Sequence, residues 1–305
     1  MAQTTHTAVI GLGSMGYGMA QSCLRAGHTV YGQDIAPERV AALHADGADP
    51  ASPHQAAAVL DAVVVVVLNA VQTEQVLFGE NGIAAHLRKG AVVMACATVP
   101  PAFAREMETR CAALGVHYLD APISGGSIKS AAGQLSVMAS GTALAFDAAA
   151  SVLEATATTV FRLGDSAGAG SAMKAVNQLL AGVHIATMAE ALTFGMTQGI
   201  APDSFVEVIS QCAGSSWMLE NRAPHIVAGD YTPHSQVTIW PKDLGIVLDI
   251  AQSSGFDAPI TATALAQFQA AVAMGLGAED DAAVAKVYAH AAGLTLPHTD
   301  ETGND

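Results

Sequence analysis

Short runs of β-branched residues recur through the first 162 positions, each followed by an alanine-rich stretch at helical spacing, and after Gly164 these runs stop. A parallel sheet wrapped by helices, joined to a separate all-helical region, is the arrangement that fits this break. Strands are expected at 8–11, 28–33, 62–68, 91–95, 117–119, 135–140 and 159–162. The 62–68 run shows no polar alternation, which marks a strand buried on both faces. Helices are expected at 15–26 and 37–45, the second with Pro37 in its first turn. Beyond Asp165, residues 170–198 read as one long interdomain helix, followed by helices at 202–212, 217–228, 241–255 and 261–274. The expected organisation is an N-terminal α/β domain over 1–165, an all-α domain over 166–293 and a flexible acidic tail over 294–305.

Composition narrows the partners. Counting 62 alanines and 29 glycines against 8 Phe, 5 Tyr and 2 Trp excludes an aromatic-rich β-sandwich and favours closely packed helices. Twelve Lys and Arg against 27 Asp and Glu give a net charge of −15, which a phosphate backbone would repel, so nucleic acid is excluded as a partner. The first residues lack the features of a secretory signal, and the longest solid apolar run, 62–68, is far too short for a membrane span. A soluble, cytoplasmic protein is expected. Cys23, Cys96, Cys111 and Cys212 are dispersed without a metal-ligand spacing and read as buried free thiols, and no metal site is expected among the scattered histidines.

The most informative motif is Gly11-Leu12-Gly13-Ser14-Met15-Gly16. A G-x-G-x-x-G is weak by itself in a glycine-rich chain. Here it follows an apolar strand, opens a helix and precedes Asp34 at the end of the second strand, which is the Rossmann dinucleotide fingerprint. Gly11 would make the tight turn, Gly13 would admit a pyrophosphate, and Gly16 would let helix and strand pack closely. Asp34 would accept from the adenosine ribose hydroxyls and repel a 2′-phosphate, so NAD is expected over NADP, although Arg39 leaves room for NADP. Leu68 and Asn69, at the end of the third strand, join the expected cofactor contacts.

A lone charge follows. Between Asp165 and Glu190 the only charged residue is Lys174, with Asn177 and Gln178 at i+3 and i+4 on the same helix. Lysines often extend out of an apolar helix to water, yet this chain has only five, and this one falls just past the domain boundary. There it could serve hydride-transfer chemistry. In Asp120-Ala-Pro-Ile-Ser-Gly-Gly, consecutive glycines after Ser124 could aim backbone amides at a carboxylate, or form a plain loop. In Trp240-Pro-Lys-Asp-Leu, Lys242 and Asp243 read by themselves as a surface pair at a helix start.

Five motifs in this order, across about 290 residues, resemble the β-hydroxyacid dehydrogenase family, the relatives of 3-hydroxyisobutyrate dehydrogenase and tartronate semialdehyde reductase. The resemblance implies NAD-dependent oxidation of a small hydroxy acid, Lys174 as the catalytic residue, and Ser124, Gly125, Gly126, Asn177 and Gln178 as substrate ligands. Cys96-Ala-Thr-Val-Pro-Pro is similar to the family's cofactor segment and implies a role for Thr98. Lys242 falls on the family's Lys-Asp-Leu segment near the cofactor. A homodimer or homotetramer is implied as well.

The chain departs from the family at Gln178, where Asn is usual, and carries Ser127, Lys129 and Ser235 where less polar residues are common. Added polar groups point to a polyhydroxy acid rather than an alkyl one. The stretches 170–180 and 217–222 resemble a subgroup acting on four-carbon sugar acids at C2. Two other readings fit the same fold: an NADPH-dependent reductase of a tartronate- or succinate-semialdehyde type substrate, and a non-catalytic dinucleotide sensor. Asp34 opposes the first, and Lys174 with the Ser-Gly-Gly loop opposes the second.

Overall fold

A computed structural model describes residues 4–298. The chain divides into two compact units, Met1–Lys174 and Ala175–Asp305.

The first unit is built on five parallel strands, β1 (His6–Ile10), β2 (Thr29–Gln33), β3 (Ala62–Val65), β4 (Val92–Ala95) and β5 (His117–Asp120), in the order β2-β1-β3-β4-β5. Its helices are α1 (Gly16–Arg25), α2 (Pro37–Ala45), the single turn α3 (Pro53–Ala56), α4 (Ala70–Phe78) and α5 (Pro101–Ala113). Alternate strand residues feed two separate cores. Val9, Val64, Val92 and Met94 pack on one face, while Ala8, Ile10, Val63, Val65 and Val93 pack on the other. Both faces being covered, the strands need no polar alternation, and the sheet is of the Rossmann type expected.

Strand β3 is shorter than the 62–68 run. It ends at Val65, although the Val66 amide still donates to the Ile10 carbonyl at 2.8 Å. The apolar composition continues because Val66 and Val67 pack on the cores as the chain leaves the sheet, whereas Leu68 is exposed. After β5 the chain makes β6 (Ile123–Ser124), α6 (Gly126–Ala131), β7 (Leu135–Ala139), α7 (Ala143–Thr156) and β8 (Ala157–Arg162). Strands β6, β7 and β8 form a second, mixed sheet, with β6 antiparallel and β8 parallel to β7. A two-residue strand like β6 has no period to read, and only its pairing with β7 defines it.

Helix α8 (Ala169–Thr197) begins in the first unit and continues into the second. Among the described residues it is the one helix long and apolar enough, by length and composition, to cross a membrane. Ile185, Ala186, Met188, Ala189 and Leu192 of this helix are instead buried in the core of the second unit. That core is completed from α9 (Pro202–Ile209), α10 (Trp217–Ala228), α11 (Ile239–Ser253), α12 (Pro259–Ala273) and α13 (Ala285–Ala292). Trp240 stacks on Phe268 there, with ring centroids 5.6 Å apart. Leu296 packs against the same core, and residues 299–305 of the expected tail lie outside the described residues.

Cys23, Cys96 and Cys111 are buried, and burial pushes the Cys23 and Cys111 thiols up to about 12. Cys212 corrects the expectation of four buried thiols. Helix α9 stops at Ile209, and Cys212 lies exposed in the turn after it.

Candidate active site

The glycine turn follows β1 at the carboxyl end of the sheet, beside β3, where the strand order reverses direction and open α/β sheets bind ligands. Each glycine has its own reason. Gly11 has φ +94°, and a Cβ there would lie 2.2 Å from the Val66 carbonyl oxygen. A Cβ on Gly16 would lie 1.8 Å from the Gly11 oxygen, so helix α1 and the turn could not close on any other residue. At Gly13 the nearest atom is Arg39 Nη1 at 3.9 Å, and this open space fits the close approach of a pyrophosphate. The donors around it are backbone amides at the start of α1, with Leu12 buried and Ser14 exposed.

Asp34 follows β2 directly. Its Oδ2 accepts from the Leu12 amide at 2.6 Å and its Oδ1 from the Ala36 amide at 2.8 Å. A carboxylate offers about four lone-pair sites, so capacity remains for ribose hydroxyls. After β3, Leu68 is exposed, and Asn69 caps α4 by accepting from the Gln72 amide at 2.9 Å. Thr98 follows β4 and is buried. These residues therefore share one edge of one sheet, and a nicotinamide dinucleotide fits the glycine cradle and the carboxylate found there.

Further along that edge, β5 runs into the Ser124-Gly125-Gly126 loop. Gly125 and Gly126 have φ +135° and +76°, values that disfavour any side chain and turn the backbone sharply into α6. Helix α6 lies against α1, because Gly18 leaves room for the backbone at Ala131, where a Cβ would come within 2.6 Å of its amide nitrogen. Ser130 of α6 also donates to the Met15 carbonyl within the glycine turn. Lys174 is buried, and its Nζ donates to the Ile123 carbonyl at 2.9 Å, one residue before Ser124. The ammonium and the loop are thus neighbours within the first unit.

Sequence reasoning left one part of this arrangement unread. Asp120, 1% exposed, accepts at Oδ2 from the Gly168 and Ser171 amides, both at 2.9 Å, and from the Ser140 hydroxyl at 3.1 Å. Its Oδ1 accepts from the Ser171 hydroxyl at 2.6 Å. One carboxylate therefore pins the first turn of α8 to the end of β5, three residues before Lys174 on one side and three before Ile123 on the other. Burial raises the Asp120 pKa, and these hydrogen bonds pull it back. The signal was an acid opening an otherwise apolar segment, Asp120-Ala-Pro-Ile.

The second unit holds Asn177, Gln178 and Lys242. Asn177 Nδ2 donates to Gln178 Oε1 at 2.9 Å, Gln178 Nε2 donates to Asp243 Oδ2 at 2.5 Å, and Lys242 Nζ lies 2.6 Å from Asp243 Oδ1. Lys242 and Asp243 are consequently not a surface pair. Helix α11 starts at Ile239, two residues earlier than expected, and one turn later buries Asp243 beside Gln178. Of the other polar departures, Lys129 is exposed and Ser127 and Ser235 are half-buried.

A Rossmann-type sheet with this glycine turn and strand-end aspartate defines an NAD-binding oxidoreductase. The chain belongs to the NAD-dependent hydroxyacid dehydrogenase family related to 3-hydroxyisobutyrate dehydrogenase, whose members act on a hydroxyl group. The family described as the NAD binding domain of 6-phosphogluconate dehydrogenase matches residues 6–164. The one described as NAD-binding of NADP-dependent 3-hydroxyisobutyrate dehydrogenase matches residues 168–288. Similar proteins include an L-threonate dehydrogenase of Cupriavidus necator, 50% identical over 95% of this chain and 97% of that one. An L-threonate dehydrogenase of Escherichia coli is 48% identical over 96% of each chain. A solved 3-hydroxyisobutyrate dehydrogenase of Salmonella typhimurium superposes with a TM-score of 0.88 at 47% identity, covering 93% of this chain and 99% of that one.

Proposed function

We propose that the chain oxidises L-threonate at C2 to its 2-oxo acid, in the catabolism of four-carbon sugar acids. The observation that carries the reading is the buried Lys174 ammonium on the Ile123 carbonyl, immediately before the Ser124-Gly125-Gly126 loop. Near-half identity across both units to proteins named L-threonate dehydrogenase supports the substrate. When bound, NAD supplies the hydride acceptor. Gly11, Leu12, Gly13, Ser14, Met15 and Gly16 would hold its pyrophosphate, Asp34 its ribose, and Leu68, Asn69, Thr98 and Lys242 the remainder.

Within this reading, amides and the hydroxyl of Ser124, Gly125 and Gly126 receive the substrate carboxylate. Lys174, as the neutral amine, takes the C2 hydroxyl proton while the hydride leaves C2, and the ammonium so formed steadies the charge on that oxygen and returns its proton to solvent. Asn177 and Gln178 hold distal hydroxyls. The Asp243 carboxylate fixes the Gln178 amide, so its polar atoms are oriented rather than free to adapt to an alkyl substrate. The reading carries with it a cytoplasmic location, where NAD is available, and a homodimeric or homotetrameric assembly. Apolar side chains exposed in the second unit, among them Val176, Leu180 and Phe194, support the assembly.

The test is an NADH-forming assay over L-threonate, glycerate and 3-hydroxyisobutyrate under one set of conditions. The highest kcat/KM is expected with L-threonate. Equal values, or a preference for 3-hydroxyisobutyrate, overturn the substrate and leave the family standing. NAD binding without turnover on any hydroxy acid would favour the dinucleotide sensor instead.

A further inference from the structure

The glycine turn follows β1 and the Ser124-Gly125-Gly126 loop follows β5, yet a single hydroxyl joins them. Ser130 is fully buried on α6, and its Oγ donates to the Met15 carbonyl at 2.5 Å. The same carbonyl accepts from the Met19 amide at 3.1 Å, so two donors fix it. A peptide unit is planar, and a fixed Met15 carbonyl therefore fixes the Gly16 N–H on the opposite side of that plane. Gly16 opens α1, where the first N–H groups have no acceptor within the helix and suit an anion. Ser130 thus aims one of the amides that would hold the cofactor pyrophosphate.

Its other attachment is to the substrate loop. Helix α6 has six residues, under two turns, and Gly126 is its first, so what holds Ser130 also holds the loop. A separate brace keeps α6 on α1: Ser22 Oγ donates to the Ser130 carbonyl at 3.2 Å, and Arg25 donates to Ser22 Oγ at 2.7 Å and to the Ala131 carbonyl. That brace reaches the body of α1, whereas the Ser130 hydroxyl reaches the glycine turn itself. We propose that Ser130 is a positioning residue that couples the two loops. A dinucleotide on the glycine turn immobilises the Met15–Gly16 peptide, and through the hydroxyl it holds Ser124, Gly125 and Gly126 ready for the substrate carboxylate. Consecutive glycines lose much conformational freedom on ordering, so a loop ordered by the first ligand costs the second less. The coupling is reciprocal, as binding linkage requires.

The inference rests on the dinucleotide and carboxylate-loop reading, and its first test needs no substrate. Hydrogen–deuterium exchange read by mass spectrometry compares wild type with Ser130→Ala, with and without saturating NADH, after a thermal melt establishes folding. NADH is expected to slow exchange over 11–19 in both proteins. Over 123–131 the slowing is expected to be about fivefold or more in wild type and below about twofold in the variant. A wild-type loop that NADH leaves unchanged, or the same slowing in Ser130→Ala, overturns the assignment. The Ser22 and Arg25 brace survives the substitution and should keep α6 in place. Should Ser130→Ala fail to fold, Ser130→Cys keeps the side-chain volume with only a weak donor, and the same loss of slowing is expected of it.

The second readout is kinetic. In Ser130→Ala the KM for L-threonate is expected to rise about 3- to 10-fold, the range for one hydrogen bond, with kcat within about twofold of wild type. A lowered melting temperature with an unchanged KM would make Ser130 a structural residue and overturns the assignment. A wild-type chain that does not bind NADH overturns both the dinucleotide reading and this inference. NADH binding without turnover of L-threonate overturns the substrate alone, and the exchange measurement still decides the role of Ser130.

Discussion

Asp120 in the first unit and Asp281 in the second are both buried, and their partners differ. Asp120 is met by backbone amides and serine hydroxyls, while Asp34, at the other side of the sheet, is held by two amides with Arg39 Nη1 3.7 Å away. Asp281 accepts from Arg222 Nε at 2.5 Å and from Trp240 Nε1 at 2.9 Å. Its neighbour Asp280 is bonded to His225 Nδ1 at 3.0 Å, and Asp243 pairs with Lys242. Asp120 is thus held by neutral dipoles, whereas Asp281 has a guanidinium against it, and Asp280 combines His225 with the His234 and Ala282 amides.

With 12 Lys and Arg against 27 acids, cations are scarce in this chain. In the first unit the Arg88 pair with Asp61 and the Arg110 pairs with Glu74 and Glu106 lie at the surface, while the buried Asp120 is met by amides and hydroxyls. In the helical unit the Arg222 guanidinium holds the buried Asp281, which would otherwise be an unpaired buried charge.

The largest expected effect lies on the catalytic side of this contrast. Lys174→Ala should lower kcat about 100- to 10,000-fold while NAD affinity, measured by fluorescence titration, stays near wild type. A fall of less than about threefold would remove Lys174 from the chemistry.

Arg222→Met tests the structural side. It leaves the buried Asp281 without its guanidinium and should cost about 3–5 kcal/mol in urea unfolding, with part of the loss returned when Asp281→Asn is added. A loss below about 1 kcal/mol would show that cations and dipoles are interchangeable in the helical unit.

Asp120→Asn is expected to cost less, about 1–3 kcal/mol, because one amide group replaces an acceptor facing two backbone N–H donors. Activity should register it too, since the first turn of α8 carries Lys174. The expected signature is a lower kcat with KM for NAD unchanged, and the opposite split would detach Asp120 from Lys174.

The smallest effect concerns His28, held between the Thr7 and Ser151 hydroxyls at 2.9 and 2.8 Å, whose pKa burial pushes below its usual value. A depressed pKa means that the fold favours the neutral ring. Its stabilisation is full above the unfolded value of about 6.5 and is lost as pH falls through the folded one. The thermal midpoint of wild type should therefore drop between about pH 7 and pH 5, and His28→Gln should shallow that drop. An unchanged slope would show that other groups govern this range.

Much of the molecule was legible locally. Pro37 opens α2 where its fixed φ suits a first turn, and α10 spans Trp217–Ala228 as its spacing required. The glycine turn could be read because its spacing is a local pattern, as was the isolation of Lys174, although the Val66 carbonyl that a Cβ on Gly11 would strike comes from the exit of β3. Features carried by pairing were not legible. Strand β6 has two residues, and the apolar stretch after Val65 reads the same whether it pairs in a sheet or packs on its rim.

The order of apolar and polar residues, with its glycines and prolines, by itself determined the Rossmann sheet, the long helix, the dinucleotide turn and the positions of Asp34 and Lys174 in the chain. Periodicity and turn sterics act over a few residues, so one sequence suffices to read them. Tertiary structure alone decided which polar groups are buried and what satisfies them. Asp120 finds Ser171 51 positions away, Gln178 finds Asp243 65 away, and Arg222 finds Asp281 59 away. A buried charge is tolerable only with partners, and those partners are brought together by the folded chain rather than by any local pattern.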